Sequence, residues 1–192
     1  MITTQENKLI YTFNQETVLI EPWGKNAIRV RAIKQAAFPE ENWALTQPCG
    51  HTAAITQTER YAQMENGNLT ARITSGGKLT VYNSRGEKLL EEYARNRRDV
   101  LDPKCSAIEV EAREFRPIPG GDYHLTARFE SLDPNEKIFG MGQYQQPHLN
   151  LKGTDLELAH RNSQASVPFL LSSLGYGLLW NNPAIGRAVF GK

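Results

Sequence analysis

The stretch LTARITSGGKLTVYNSRGEKLLEE, residues 69–92, decides the fold. Leu69, Ala71 and Ile73 alternate with Thr70, Arg72 and Thr74, the period of a strand with one buried face. Ser75-Gly76-Gly77 follows, a turn signal because glycine reaches positive φ without a Cβ clash. Leu79 and Val81 then restart the alternation, and Ser84-Arg85-Gly86 marks a second turn before 88–92. The segment reads as a three-stranded antiparallel meander.

The same period extends outward. In residues 27–32, Ile28 and Val30 face one way and Arg29 and Arg31 the other. Ile108, Val110 and Ala112 alternate with Glu109, Glu111 and Arg113; Tyr123, Leu125, Ala127 and Phe129 alternate with His124, Thr126, Arg128 and Glu130. A breaker-rich turn at 116–121 separates those two strands. Residues 167–173 and 176–180 flank Leu174-Gly175 as a further hairpin. Helical periodicity is weak throughout, with 35–45 and 91–98 the best candidates. Many short strands at hairpin spacing predict an all-β, antiparallel β-sandwich rather than a parallel α/β sheet. No internal repeat or low-complexity linker divides the chain, so residues 1–192 read as one sandwich domain.

Composition narrows the functional classes. The 192 residues carry 22 Lys plus Arg against 21 Asp plus Glu, a net charge of +1. That balance predicts no nucleic-acid partner, since phosphate recognition needs a clustered positive field. With 40% hydrophobic and 22% charged residues the composition is that of a globular domain. No apolar run is long enough for a membrane helix and the N-terminus lacks a secretory pattern, so the expected partner set excludes membranes and the expected location is the cytoplasm. Cys49 and Cys105 form no CxxC pair and are expected as reduced, packed thiols.

Most chemical motifs are missing. There is no phosphate loop and no GxSxG elbow, and Gly140-Met141-Gly142 lacks the third glycine of a dinucleotide fingerprint. His51, His124, His148 and His160 are scattered, so no metal and no cofactor is expected. Asp155 and Glu157 are two apart and share a strand face, at a spacing near that of a retaining carboxylate pair; Glu109 and Glu111 have the same geometry. Solvated acids on a strand account for both pairs. Arg95, Arg97 and Arg98 read as a solvated positive turn.

Residues 138–186, IFGMGQYQQPHLNLKGTDLELAHRNSQASVPFLLSSLGYGLLWNNPAIG, carry a family resemblance. Phe139-Gly140-Met141-Gly142-Gln143, Leu149-Asn150-Leu151-Lys152-Gly153, Arg161-Asn162 ahead of Val167-Pro168-Phe169, and the run from Ser172 to Pro183 resemble, in order and spacing, the end of the N-terminal β-sandwich of glycoside hydrolase family 31. That family contains α-glucosidases and α-xylosidases, and the Gln-rich middle segment resembles the α-xylosidase-like branch. The resemblance spans about Ala27 to the C-terminus.

The resemblance implies a galactose mutarotase-like supersandwich missing its last strands, and a non-catalytic N-terminal domain of a retaining α-glycosidase. The catalytic aspartates belong to a (β/α)8 barrel that follows the sandwich, and such a barrel needs about 200 residues or more of its own. No catalytic residue is therefore expected here, the chain is expected to be inactive alone, and its implied partner is the absent barrel of the same polypeptide. An α-linked glucoside or xyloside is the implied substrate of the whole enzyme. A loop of the sandwich is expected to wall the sugar pocket; it maps to 158–166, where Arg161, Asn162 and Gln164 offer donors and acceptors for sugar hydroxyls. Unpaired sheet edges near 186–192 would favour self-association. Two alternatives stand beside this reading. A stand-alone carbohydrate-binding module would use Trp23, Trp43 and Tyr144 as a platform. A sugar epimerase would need an acid and base such as His124 with Glu109 or Glu111.

Overall fold

The computed structural model describes residues 1–42, 44–46, 52–97, 100 and 102–191. Trp43, Cys49, His51 and Arg98 lie outside the described residues. Every regular element among the described residues is a β-strand, and every pairing is antiparallel. The chain divides into two compact units, Met1–Glu130 and Ser131–Lys192, a boundary that carries no linker signature in the sequence.

The first unit opens with β1 (Ile2–Gln5), β2 (Lys8–Phe13), β3 (Glu16–Pro22) and β4 (Ile28–Lys34), which pair in chain order. The β2–β3 turn places Asn14 and Gln15 at φ 47° and 66°, the two left-handed residues of a tight hairpin turn that follows strand twist. A second sheet runs in chain order through β5 (Ala54–Gln57), β6 (Tyr61–Asn66), β7 (Leu69–Thr74), β8 (Leu79–Asn83) and β9 (Lys88–Glu91). Its last three strands are the expected meander.

The two sheets close on one core. Leu9, Tyr11, Val18 and Ile20 come from the first, and Ala62, Met64, Ala71, Ile73 and Leu79 from the second. Burying these alternate side chains between two sheets is what makes a sandwich. The Ser75-Gly76-Gly77 turn takes part in it. Gly77 has φ +85°, and a Cβ there would stand 2.6 Å from the Tyr11 hydroxyl, so the turn holds Tyr11 by having no side chain. Val30 pairs with buried Ile20 but stays partly exposed, because β4 is an edge strand.

The unit ends with the hairpin β10 (Arg113–Pro117) and β11 (Tyr123–Ala127). The expected strand from Ile108 begins only at Arg113. The turn closed by the Ile118 N–H on the Asp122 carbonyl (3.0 Å) pairs Arg113 with Ala127; upstream, Ala112 accepts the Arg128 N–H (2.9 Å) and Val110 exchanges hydrogen bonds with Arg95, but no regular strand forms. No helix forms among the described residues of 35–45 or 91–98. In the second window Glu91 closes β9, while Glu92 and Arg95 make isolated bridges to Phe129 and Val110.

The second unit contains β12 (Ile138–Gln143), β13 (Asp155–Leu158), β14 (Ala165–Ser172), β15 (Tyr176–Leu179) and β16 (Gly186–Val189). They form a sheet of order β12-β14-β15 and a pair β13-β16, packed around Ile138, Met141, Leu151, Leu156, Leu170 and Phe190. Between β12 and β14 the register jumps from Gly140↔Leu170 to Gly142↔Ser166, so β14 bulges by two residues. Gly140, Met141 and Gly142 all have positive φ, and a Cβ on Gly142 would lie 2.1 Å from the Ala165 carbonyl oxygen. Pro168 sits inside the bulge with its carbonyl accepting the Trp180 N–H (2.8 Å), and because it has no N–H to return, the β14–β15 ladder ends at Phe169↔Leu179.

Candidate functional site

The three residues expected to touch sugar come together on one hairpin tip of the second unit. After β13 the chain turns through Asn162-Ser163, and Arg161 and Gln164 exchange both backbone hydrogen bonds across them (3.2 and 3.1 Å). Arg161 and Asn162 are exposed and Gln164 is half-buried. Arg161 donates two hydrogen bonds to Glu157, each 2.8 Å, which fixes the guanidinium and neutralises its charge. The tip therefore presents a nearly uncharged set of amide and guanidinium N–H donors, a chemistry suited to neutral polyols.

Other side chains set the tip in place. The Tyr144 hydroxyl hydrogen-bonds the Ser166 hydroxyl (2.8 Å) and the Glu157 carbonyl (3.1 Å). The Ser166 N–H donates to His160 Nδ1 at 3.3 Å. Tyr144 packs against the apolar core of this unit, so it props the loop and is no open sugar platform. Trp23 is likewise covered on one face, with the Arg29 guanidinium 4.6 Å from its ring centre.

The two carboxylate pairs stand in different surroundings. Asp155 and Glu157 do share the outward face of β13, but each is clamped by an arginine: Asp155 by Arg187 and Glu157 by Arg161. The Arg187 hydrogen bonds to Asp155 raise the arginine above its ordinary value, the sign of a charge already satisfied. Glu109 and Glu111 line a cleft of about 270 Å³ in the first unit, with Tyr11, Phe13, Asn14 and Arg113. His124 is absent from its walls and stands exposed, opposite Arg116 on β10, so the hypothetical acid–base pair with Glu109 or Glu111 is not assembled there. Among the described residues, no group of three or more His, Cys, Asp or Glu side chains could hold a metal ion.

Two buried polar clusters escaped the sequence reading. In the second unit, Glu136 accepts hydrogen bonds from the Ser172 hydroxyl (2.5 Å) and the Tyr176 hydroxyl (3.0 Å), and Lys152 lies 3.7 Å away. Burial, with the Glu136 charge beside it, pushes the Tyr176 hydroxyl well above the usual phenol range. In the first unit, buried Arg113 pairs with Glu92, with Glu16 at 2.6 Å, and with the Gly77 carbonyl at 2.8 Å. Burial works to lower the Arg113 value, but the charges of Glu92 and Glu16 outweigh it and raise it. For Glu92 burial itself prevails and raises its pKa.

Arg95 is not solvated as expected. It is half-buried, stacks 3.9 Å over Tyr93 and pairs with Glu130 at 2.7 Å, because the bridge to Val110 draws its backbone inward; Arg97 is exposed. Cys105 is exposed rather than packed.

Comparison with known proteins bears on the same region. Residues 17–187 match the model of the glycosyl hydrolase 31 N-terminal galactose mutarotase-like domain. The uncharacterized family 31 glucosidase ORF2 of Pseudescherichia vulneris is 50% identical over 97% of this chain and 36% of its own length. Alpha-xylosidase A of Aspergillus niger is 30% identical over 92% of this chain and 25% of its own. The crystal structure of a GH31 alpha-xylosidase from a soil metagenome, complexed with xylose, superposes with a TM-score of 0.93 and 46% identity, over 100% of this chain and 29% of that one. The chain thus spans about a third or less of the length of these relatives.

Proposed function

This chain belongs to the glycosyl hydrolase 31 N-terminal galactose mutarotase-like domain family, and on that premise we propose that it serves as the non-catalytic N-terminal part of an α-xylosidase or α-glucosidase. It supports a catalytic barrel elsewhere in the polypeptide and lends the 158–166 loop to the sugar pocket. The carrying observation is the preformed Arg161–Gln164 tip. Its guanidinium is held by Glu157 (2.8 Å) and its backbone is closed on itself, while the acids of this unit are engaged in ion pairs or hydrogen bonds. A loop fixed before substrate arrives costs little ordering entropy on binding. In the assembled enzyme Arg161, Asn162 and Gln164 position an α-linked xyloside or glucoside, and the bond-breaking carboxylates come from the barrel.

The test is direct. Purified 192-residue chain, incubated with 4-nitrophenyl α-xyloside and α-glucoside, should release no nitrophenol above the buffer rate. Hydrolysis that disappears on changing an acid within this chain, such as Glu157→Gln, would overturn the reading.

A further inference from the structure

The second unit has two outer faces of opposite chemistry. Beyond β13-β16 lie Asp155, Glu157 and Arg187. Beyond β12-β14-β15, the outward positions of β14 are Ala165, Val167, Phe169 and Leu171, while Leu170 and Ser172 point inward and are buried. Pairing adds Leu179 beside Phe169, and Gly177 and Phe139 on either side of Leu171. None of these outward positions is charged. Val167 is 52% exposed, Phe169 41%, Leu171 50% and Leu179 38%. A row of four large apolar side chains left outside one sheet marks an interaction surface rather than scattered surface hydrophobes.

The row is preformed. A Cβ on Gly177 would stand 2.7 Å from the Phe169 ring, so the bare glycine seats the ring across β15. The bulge opposite Met141 fixes the turn of β14 from which Val167 and Phe169 project.

The chemistry of the row selects its occupant. The row itself carries no hydroxyl, carboxylate or charge; polar side chains stand only at its ends, Gln143 opposite Ala165 and exposed Lys137 beyond Phe139. What fits is a dry protein surface, and relatives 46–50% identical carry this region as 29–36% of a longer chain. A partner on the same polypeptide meets the row at high effective concentration. We propose that the outer face of β12-β14-β15, centred on Phe169 and Leu171, is the surface on which the catalytic domain of the same polypeptide seats. This rests on the N-terminal-part reading above and names the face that performs it.

The experiment uses the chain alone and a chimera in which it replaces the matching N-terminal part of the Pseudescherichia vulneris glucosidase. In the isolated chain the row should bind the dye ANS, and Phe169→Lys with Leu171→Lys should abolish most of that signal while the β-rich circular dichroism spectrum persists. In the chimera the row should be silent to ANS. There Phe169→Lys with Leu171→Lys should lower the yield of active enzyme by roughly tenfold or more, and Val189→Lys, on the opposite outer face, should not. A chimera active with both sets of substitutions overturns the docking face and leaves the N-terminal-part reading standing. An inactive wild-type chimera, with the chain itself folded, overturns that reading. A row still open to ANS in an active chimera, together with dimers of the isolated chain lost on Phe169→Lys, assigns the face to a second copy and overturns the proposal.

Discussion

The two units treat their apolar faces differently. The first closes Leu9, Val18 and Ile20 of one sheet on Met64, Ala71 and Ile73 of the other, all at 0% exposure. At the border of that core stand paired charges: Arg113 with Glu92 and Glu16, and Lys78 with Asp102 and Glu91. The second closes Met141, Leu156 and Leu170 together but leaves Val167, Phe169 and Leu171 in water. Alternation therefore says which face of a strand is apolar, and not what covers it. A sandwich completes itself where both sheets are present; where one face is left over, the same pattern describes a surface for something else.

The first way to break this contrast is to strike the buried charges. Arg113→Met leaves Glu92 and Glu16 without their cation and should cost about 3–5 kcal/mol. Urea unfolding should show it, and hydrogen exchange should rise first in β7 to β10. Replacing Arg113, Glu92 and Glu16 together by apolar residues should recover most of that loss; failure to recover would mean that the pairing itself, rather than the orphaned acids, holds the border.

In the second unit the bulge is the vulnerable point. Gly142→Ala forces a Cβ toward the Ala165 carbonyl at φ +97° and should cost about 1–3 kcal/mol. Exchange should accelerate in β12 and β14. An unchanged midpoint would show that the bulge bends freely and does not fix the outer row.

Acid gives a graded third effect, confined to the first unit's border. Burial works to raise the pKa values of Glu91, Asp102 and Glu130, but hydrogen bonds and charges from Lys88, Lys78, Lys104 and Arg95 hold all three below their ordinary values. Depressed folded-state values stabilise above the unfolded pKa. That stability should be intact above pH 4.5, the ordinary glutamate value, and should drain away as pH falls through it toward the lower folded-state values. Lys78→Met should shrink the acid-dependent part of the unfolding free energy.

The smallest effect should come from the charged outer face. Arg187 is 70% exposed on its side chain, so Arg187→Ala should leave the urea unfolding midpoint nearly unchanged despite its close pair with Asp155. A larger loss would mean that this face, too, is held against something.

The sequence made some of this legible for local reasons. The meander at 69–92 could be read because its turns carry Gly77 and Gly86 beside clean alternation. The hairpins of β1 to β3 could not, because Glu6, Asn14 and Gln15 take positive φ with no glycine to announce the turns. Arg161, Asn162 and Gln164 share one tip because they are neighbours in the chain. Glu136 was not, since its partners Ser172 and Tyr176 lie 36 and 40 residues away. Glu92 and Arg113 were missed for the same reason, as their pairing spans 21 residues. The outer row reads as ordinary strand alternation, and only the exposure of Val167, Phe169 and Leu171 tells that face from a core.

Pro168 has a last consequence. Shifting β14 by one residue against its neighbours would turn Phe169 and Leu171 inward and Leu170 and Ser172 outward. A slip toward the Leu174-Gly175 turn would also carry the imino nitrogen from the end of the β14–β15 ladder into its interior, where a carbonyl waits for a proton that proline does not have. One ring thus guards against slippage and keeps the wet and dry sides of this sheet from trading places.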